Sequence, residues 1–161
     1  MAIPVYMYLK DDANNLIKGG VDVYGRENSV EVLGFHHSVD MPTDDHTGRI
    51  SGKCQHLPFL IEKEIDCATP YLYKALTSGQ TLNSVELKHY RINDAGQEDE
   101  YYTVLLEQAK VVNVLPLMHD IKDATKEKFN HLELVEFRYE KIIWHYLDGH
   151  LIHSNSWLER A

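Results

Sequence analysis

Residues 132–147 read LELVEFRYEKIIWHYL, and this stretch determines the fold. Apolar and polar residues alternate along it, which is the pattern of a half-buried β-strand. The parity of the apolar positions changes once, from Val135, Phe137 and Tyr139 to Ile142, Trp144 and Tyr146. A slip of one residue predicts a β-bulge, which bends a strand so that it can serve two sheets or close a barrel.

The rest of the chain contains further short alternating runs separated by turn residues. The predicted strands are residues 3–9, 29–37, 57–65, 84–92, 101–115 and 151–157, in addition to 132–147. Turns are predicted at Gly19-Gly20, Asp94-Ala95-Gly96 and Asp148-Gly149, since Gly and Asp tolerate the backbone angles of tight reversals. We therefore predict a mainly β (α+β) fold, a small β-barrel of two antiparallel sheets.

One short α-helix is predicted beside the strands. Thr69 suits its N-cap, and Pro70 suits its first position, where a missing N–H has no helical partner. Gly79 suits its C-terminal end. Leu72 and Leu76 lie four residues apart, so they share a face that we expect to pack on the sheet.

Length and composition are those of one ordinary globular domain. The chain has 161 residues, of which 43% are hydrophobic and 25% charged, and we predict a single domain over residues 1–161. The formal net charge is −9, which argues against nucleic acid as a partner because phosphate backbones would be repelled. No stretch approaches the roughly 20 apolar residues of a membrane-spanning helix, so we predict no membrane insertion.

The termini and cysteines indicate where the protein acts. Its N-terminus lacks the basic start and apolar core of a signal peptide, which predicts that the protein stays in the cytoplasm or leaves it without a cleaved signal. Cys54 and Cys67 have neither CxxC spacing nor the density of a disulfide scaffold. We interpret both as reduced, with one of them buried.

Two polar connections follow the predicted strands. Residues 38–53 form a long loop with no periodicity, and loops of this length in a compact domain are usually functional or disordered. Its charged residues include Asp40, Asp44, Asp45, His46 and Arg49. A second polar connection, residues 119–130, has room for a helical turn but lacks an apolar face.

Ten histidines raise the question of a metal site. Neighbouring His36 and His37 point to opposite faces of a regular strand, so both cannot easily bind one ion, and no short zinc-ligand spacing recurs. The remaining candidate ligands are Asp44, Asp45, His46, Cys54 and His56. We favour solvated or interface histidines, and we predict neither a metal nor another cofactor.

Catalytic residues are not predicted either. Cys67 lies beside Asp66 at a helix start, where a thiolate would be stabilised, but a small buried apolar role fits it better. The Ser154-Asn155-Ser156 segment has no GxSxG context. Aromatic residues at the strands favour core or subunit interface over a sugar-binding face, namely Tyr101, Tyr102, Phe137, Tyr139, Trp144 and Tyr146.

Four segments resemble the haemolysin-coregulated proteins (Hcp), which build the tube of the type VI secretion system. They are Met7-Tyr8-Leu9, then Val30-Glu31-Val32-Leu33-Gly34-Phe35, then Ile65-Asp66 with Pro70 and Leu72, and a closing hairpin over residues 143–157. The segments occur in the same order as in the family. The resemblance covers the whole chain, and the closing hairpin is its most specific part.

The resemblance implies a structural protein, not an enzyme. It implies a small β-barrel with a flanking helix that forms hexameric rings, stacked into a hollow tube inside a contractile sheath and exported under a spike. Effectors ride in the lumen of some members, whereas others carry a fused effector domain; this chain ends shortly after Trp157, so it resembles the unfused form. By the same resemblance, His36 takes a lumen-facing position.

Two other classes of protein stay open at this point. One is a binding module of the β-barrel or jelly-roll kind that recognises sugars through its aromatic residues. The other is a metal-dependent hydrolase built on the His/Asp loop. Ring-shaped particles under the electron microscope favour the tube subunit, whereas a monomer with affinity for sugars favours the module.

Overall fold

The structure is a computed structural model, which describes residues 3–157. Within that range it contains twelve strands, one α-helix and one short 3₁₀ helix, Ala124–Lys126. The strands and the α-helix are β1 Val5–Lys10, β2 Leu16–Ile17, β3 Val30–Val32, β4 Gly34–His36, β5 Val39–Asp40, β6 Gln55–His56, β7 Phe59–Glu64, α1 Thr69–Ser78, β8 Thr81–Ile92, β9 Glu98–Leu117, β10 Leu132–Arg138, β11 Lys141–Tyr146 and β12 Leu151–Ser156.

Ten of these strands form one sheet, and every pairing is antiparallel. The order is β2-β1-β8-β9-β10-β7-β4, with β3 also paired to β1, β11 to β9, and β12 to β11. The strands β5 and β6 form a separate two-stranded sheet. The mainly β class is confirmed.

The ten-stranded sheet bends until both of its sides reach the same segment of chain. The first half of that segment, β3, pairs with β1, and the second half, β4, pairs with β7. Between them the Leu33 N–H donates to the Glu62 carbonyl at 2.8 Å. The prediction of a closed barrel is therefore corrected, whereas the prediction of two antiparallel sheets is confirmed. The strand predicted at residues 29–37 divides at Leu33 between two partners, so one bent sheet surrounds the core without a closed ladder.

The inward-facing parity reverses at one level on three adjacent strands. Glu107 of β9 marks this level, because it pairs with Ser84 on one side and Lys141 on the other. The buried positions change from Leu82 to Val85 on β8, from Leu106 to Ala109 on β9, and from Tyr139 to Ile142 across the β10–β11 break. The predicted parity slip is thus confirmed, and it involves three adjacent strands and not one.

Gln108 lies at the centre of this reversal. Its φ is 51°, in the left-handed region that few residues other than glycine adopt. Its side-chain amide donates to Asn83 Oδ1 at 3.1 Å, and the Asn83 amide in turn donates to Asn14 Oδ1 at 2.8 Å. These hydrogen bonds link the bends of β8 and β9 to the turn between β1 and β2.

The helix α1 covers part of the core. Leu72 is fully buried and Leu76 packs against the core cluster, as their spacing predicts. Gly79 ends the helix with φ at 68°, also as predicted. The predicted cap at Thr69 is wrong, because Ala68 occupies the N-cap position and no side chain caps it. The Thr69 hydroxyl instead turns inward and donates to Glu133 Oε1 at 2.8 Å.

A buried ion pair joins β7, β10 and the start of α1. Lys63 and Glu133 face each other across the two strands, both are 0% exposed, and they form a salt bridge. The Lys63 ammonium also donates to the Glu64 carbonyl at 2.9 Å and to Asp66 Oδ1 at 3.0 Å. Removing one charge of such a pair leaves the other uncompensated in a medium of low polarity.

Replacing Lys63 by Met tests this pair. We expect the free energy of unfolding to fall by about 3–5 kcal/mol, because the Glu133 carboxylate then loses its partner. The double variant Lys63→Met/Glu133→Leu should lose less. Lys88→Met removes a partly exposed ion pair with Glu86 and should cost less than about 1 kcal/mol. Urea unfolding at one protein concentration measures all three, and equal losses for the two lysine variants would contradict the argument.

Replacing Gln108 by Val tests the bend. A β-branched residue at this backbone conformation should lower the free energy of unfolding by about 1–3 kcal/mol. The matched control is Lys110→Val, at an exposed position of the same strand, where valine should be neutral. A Gln108→Val protein as stable as the control in thermal unfolding would show that the bend does not depend on this residue.

Candidate assembly surface

Residues 38–57 form a hairpin that we call the arm. Val39 pairs with His56 and Asp40 with Gln55, and a further bridge joins Thr43 to Ile50. The predicted loop over residues 38–53 is therefore corrected to a paired hairpin. Its sequence shows no alternation because both of its faces are largely exposed to solvent, so neither face selects apolar residues.

Asp44 fixes the turn at the tip of the arm. Its Oδ1 accepts the backbone N–H groups of His46 at 2.8 Å and Thr47 at 3.0 Å. These hydrogen bonds stabilise the carboxylate and lower the pKa of Asp44 below its usual value. Its role is thus to shape the turn, whereas the side chains of Asp45, His46 and Arg49 lie exposed around it.

The arm exposes apolar side chains that its own chain leaves uncovered. Ile50 is 67% exposed, and Val39, Met41 and Leu57 are also exposed. A two-stranded hairpin without a covered hydrophobic face is only marginally stable in water. Clustered apolar side chains within a polar rim are typical of protein–protein contact surfaces.

A chain of hydrogen bonds joins the base of the arm to the body. The Tyr139 hydroxyl lies 2.9 Å from His37 Nε2 and 2.6 Å from His56 Nδ1. The other ring nitrogen of His56, Nε2, lies 2.6 Å from Asn155 Oδ1 of β12. The His56 ring also contacts Trp157, with ring centroids 5.1 Å apart. One cluster therefore connects both stems of the arm to the end of β10 and to the closing strand.

Burial shifts the pKa values of two members of this cluster, Tyr139 and His37. It raises the pKa of Tyr139, and the nearby Cys54 acts in the same direction, so the phenol keeps its proton. Burial, followed by repulsion from His56, lowers the pKa of His37, so this imidazole favours its neutral form.

An open groove of about 540 Å³ runs along the base of the arm. Its apolar lining comes from Val39 and Met41 of the arm and from Trp144 and Trp157 of the body. Cys54, one of the two predicted reduced cysteines, is partly buried in the same groove. The groove thus continues the exposed apolar surface of the arm onto the body.

His36 and His37 have different partners, although both line one open surface groove. His37 stacks on Phe59, with ring centroids 4.8 Å apart, and contacts the cluster described above. His36 lies on β4 at the surface, beside Leu60 and Glu136. A single subunit has no lumen, so the lumen-facing position of His36 stays a prediction.

Six of the seven candidate metal ligands separate into two groups, and the seventh, His36, lies on β4. His37, Cys54 and His56 lie at the base of the arm, whereas Asp44, Asp45 and His46 lie at its tip. Within residues 3–157 no group of three or more His, Cys, Asp or Glu side chains is arranged to bind a metal ion. In the same range no helix combines the length and apolar character that crossing a membrane would require.

The predicted burial of one cysteine is wrong. Cys67 is exposed at the helix start and its thiol donates to the Lys18 carbonyl at 3.2 Å, while Cys54 is partly buried. The aromatic candidates do not form one exposed face. Phe137 and Tyr139 are buried, and Trp144 stacks on His153 with ring centroids 6.0 Å apart.

Sequence reasoning missed two groups of residues. The buried Lys63 had a signal, because it follows Phe59 and Ile61 at the same parity and so faces the core. Tyr139 carried the parity signal as well, but nothing in the sequence indicates that its hydroxyl bridges His37 and His56. The contribution of Asn155 was likewise not predicted.

Comparisons with known proteins agree with this structure. The profile of the family described as "Type VI secretion system effector, Hcp" matches residues 6–146. The "Major exported protein" of Pseudomonas aeruginosa PAO1 is 40% identical over 153 residues, covering 89% of each chain.

Solved structures extend the comparison to three dimensions. A variant of the Hcp1 protein from E. coli EAEC 042 is 55% identical, covers 97% of this chain and 99% of its own, and superimposes with a TM-score of 0.88. The secreted protein Hcp3 from Pseudomonas aeruginosa is 35% identical, covers 98% and 100% of the two chains, and gives a TM-score of 0.77. With the fold and nearly the whole length in common, the chain belongs to the Hcp family of the type VI secretion system.

Proposed function

We propose that this chain is the structural subunit of a type VI secretion inner tube. In this proposal it assembles into hexameric rings, which stack into a hollow tube that a contractile sheath drives outward under a spike protein. The subunit acts by assembly and carries out no catalysis. Membership of the Hcp family supports the proposal, and the observation that carries it is the exposed arm.

The arm needs a neighbour to cover it. Its two strands pair with each other, yet Met41 and Ile50 remain exposed, at 43% and 67%. Burying an apolar side chain stabilises an interface by roughly 1.5–3 kcal/mol. A second copy of the chain, in the same ring or the next one, supplies that burial at every subunit.

Charged residues at the tip suit the rim of such an interface. Asp40, Asp45 and Arg49 carry both signs of charge around the apolar residues, and a rim of exposed charges sets orientation more than affinity. The candidate stacking residues are thus Asp40, Asp44, Asp45, His46 and Arg49, with Asp44 acting through the shape of the turn.

The location of the protein follows from the same proposal. The subunit assembles in the cytoplasm and then leaves with the tube, without a cleaved signal peptide. Effectors carried in the lumen contact His36, whose exposed imidazole carries ring nitrogens that can form hydrogen bonds.

Replacing Ile50 by Asp tests the arm. A carboxylate buried without a partner at the contact costs several kcal/mol, and ring symmetry repeats that cost at every contact. We expect folded subunits that neither stack into tubes nor reach the medium. The matched control, Ile50→Val, keeps the apolar contact and should assemble and export normally.

Electron microscopy of the purified protein, circular dichroism and assays of the culture medium measure assembly, folding and export. The tube proposal fails if the wild-type protein stays monomeric at micromolar concentrations. It also fails if an Ile50→Asp variant shown to be monomeric is exported at the normal level, since a single subunit gives the sheath nothing continuous to push. A monomer that binds sugars would favour the binding module instead.

Replacing His36 by Glu tests the lumen position. We expect intact rings that retain less effector, because a carboxylate cannot donate the hydrogen bond that an imidazole N–H donates. His36→Gln preserves a neutral donor and acceptor and is the matched control. The readout is the amount of effector that co-purifies with rings from the producing bacterium; normal amounts with His36→Glu would place the effector contact elsewhere.

A further inference from the structure

We propose that His37, Tyr139, His56 and Asn155 form a proton-operated latch, which keeps the base of the arm against the body while both imidazoles are neutral and releases it on protonation. The latch is a property of the single subunit. A further consequence, that acidification weakens the stacking of rings, rests on the function proposed above.

The hydrogen bonds of the latch run in one direction. Asn155 Oδ1 can only accept, so His56 Nε2 carries the proton and donates to it. In a neutral His56 ring, Nδ1 then has a lone pair and accepts from the Tyr139 hydroxyl. The Tyr139 oxygen in turn accepts from His37 Nε2–H. All three donors in this chain have an acceptor only when His56 is neutral, whereas His37 can donate to Tyr139 in either of its protonation states.

A proton added to His56 breaks the chain at its centre. It places an N–H on Nδ1, directly opposite the Tyr139 hydroxyl 2.6 Å away. Two donors then face each other, and the hydroxyl cannot replace its lost acceptor without moving. A proton on His37 adds a second positive charge on the other side of the same hydroxyl, so the two rings repel each other.

More of the side chains around the two imidazole rings are basic than acidic, and basic groups disfavour a further positive charge there. Arg138 Nη1 lies 3.4 Å from the His56 carbonyl, and Lys53 and His153 line the groove beside the His56 ring. The Cys54 thiol lies 3.9 Å from His56 Nε2. On the side of His37, the neighbouring surface is lined by His36 and by one carboxylate, Glu136.

The closed arm is therefore favoured at neutral pH. Burial lowers the pKa of His37, so the closed state takes up its proton less readily than an open, solvated state. This contribution to arm closure is fully present above about pH 6.5, the ordinary value for histidine, and is lost as the pH falls below it. The arm thus loosens in acid, whereas the core of the sheet keeps its hydrogen bonds.

Hydrogen exchange of the full-length protein tests the latch. The reporting amides lie at the base of the arm, where Leu57 N–H donates to the Ser38 carbonyl and β5 pairs with β6. Protection factors, which correct for the intrinsic exchange rate, should fall between pH 7.5 and pH 5, because the closed arm takes up the His37 proton less readily than the open arm. Amides of β8 should keep their protection over the same range.

Three variants separate the latch from other effects of pH. Tyr139→Phe lacks the hydroxyl and should show low arm protection at both pH values. His56→Asn lacks the second imidazole, so its pH response should come from His37 alone and be smaller than that of the wild type. His46→Asn removes a histidine from the exposed tip and should respond like the wild type. Unchanged arm protection in the wild type, or a full response in His56→Asn, would overturn the latch.

Mass photometry of the same samples separates this proposal from the tube. If the protein is a monomer and its arm loses protection in acid, the latch is supported and the proposed tube function is contradicted. If the protein forms rings and the base of the arm stays protected at pH 5, the tube function is supported and the latch is contradicted.

Discussion

The structure depends on one constraint, the reversal of inward-facing parity at a single level of the sheet. A strand has a period of two, so a reversal on one strand alone would turn its neighbours' apolar residues toward solvent. The chain avoids this conflict because β8, β9 and the β10–β11 run all reverse beside Glu107. Gln108 accommodates the change with an uncommon backbone angle. The bend lets one sheet surround the core and brings β1 and β7 to the two halves of the same segment.

The body and the arm are stabilised in different ways. The body contains fully buried apolar residues and an ion pair, Lys63–Glu133, whose desolvation is offset by further hydrogen bonds from the ammonium. The arm has a paired backbone but no core of its own. Its contact with the body is a small polar cluster, and polar clusters depend on the protonation of their members in a way that apolar packing does not.

Local patterns in the sequence were enough to predict the positions of the longer strands, the helix end at Gly79 and the parity slip, because each depends on neighbouring residues. The cap at Thr69 was predicted wrongly, since a threonine before Pro70 fits a cap and only the folded sheet presents Glu133 to its hydroxyl. The pairing of the arm was missed because hairpins exposed on both faces show no alternation. The bridge from His37 to Tyr139 spans 102 residues of sequence, and no local pattern encodes such a contact.

A two-stranded hairpin with no core of its own is mechanically compliant. Segments with few tertiary contacts deform at low energy, so the arm can swing about its base while Thr43 and Ile50 remain bridged. Rigid subunits pass every small deviation in the geometry of one contact on to the next contact, and such misfits accumulate along a polymer. A compliant joint absorbs each misfit where it arises, so a long assembly of stiff bodies joined by such arms can curve and twist without strain in the bodies themselves.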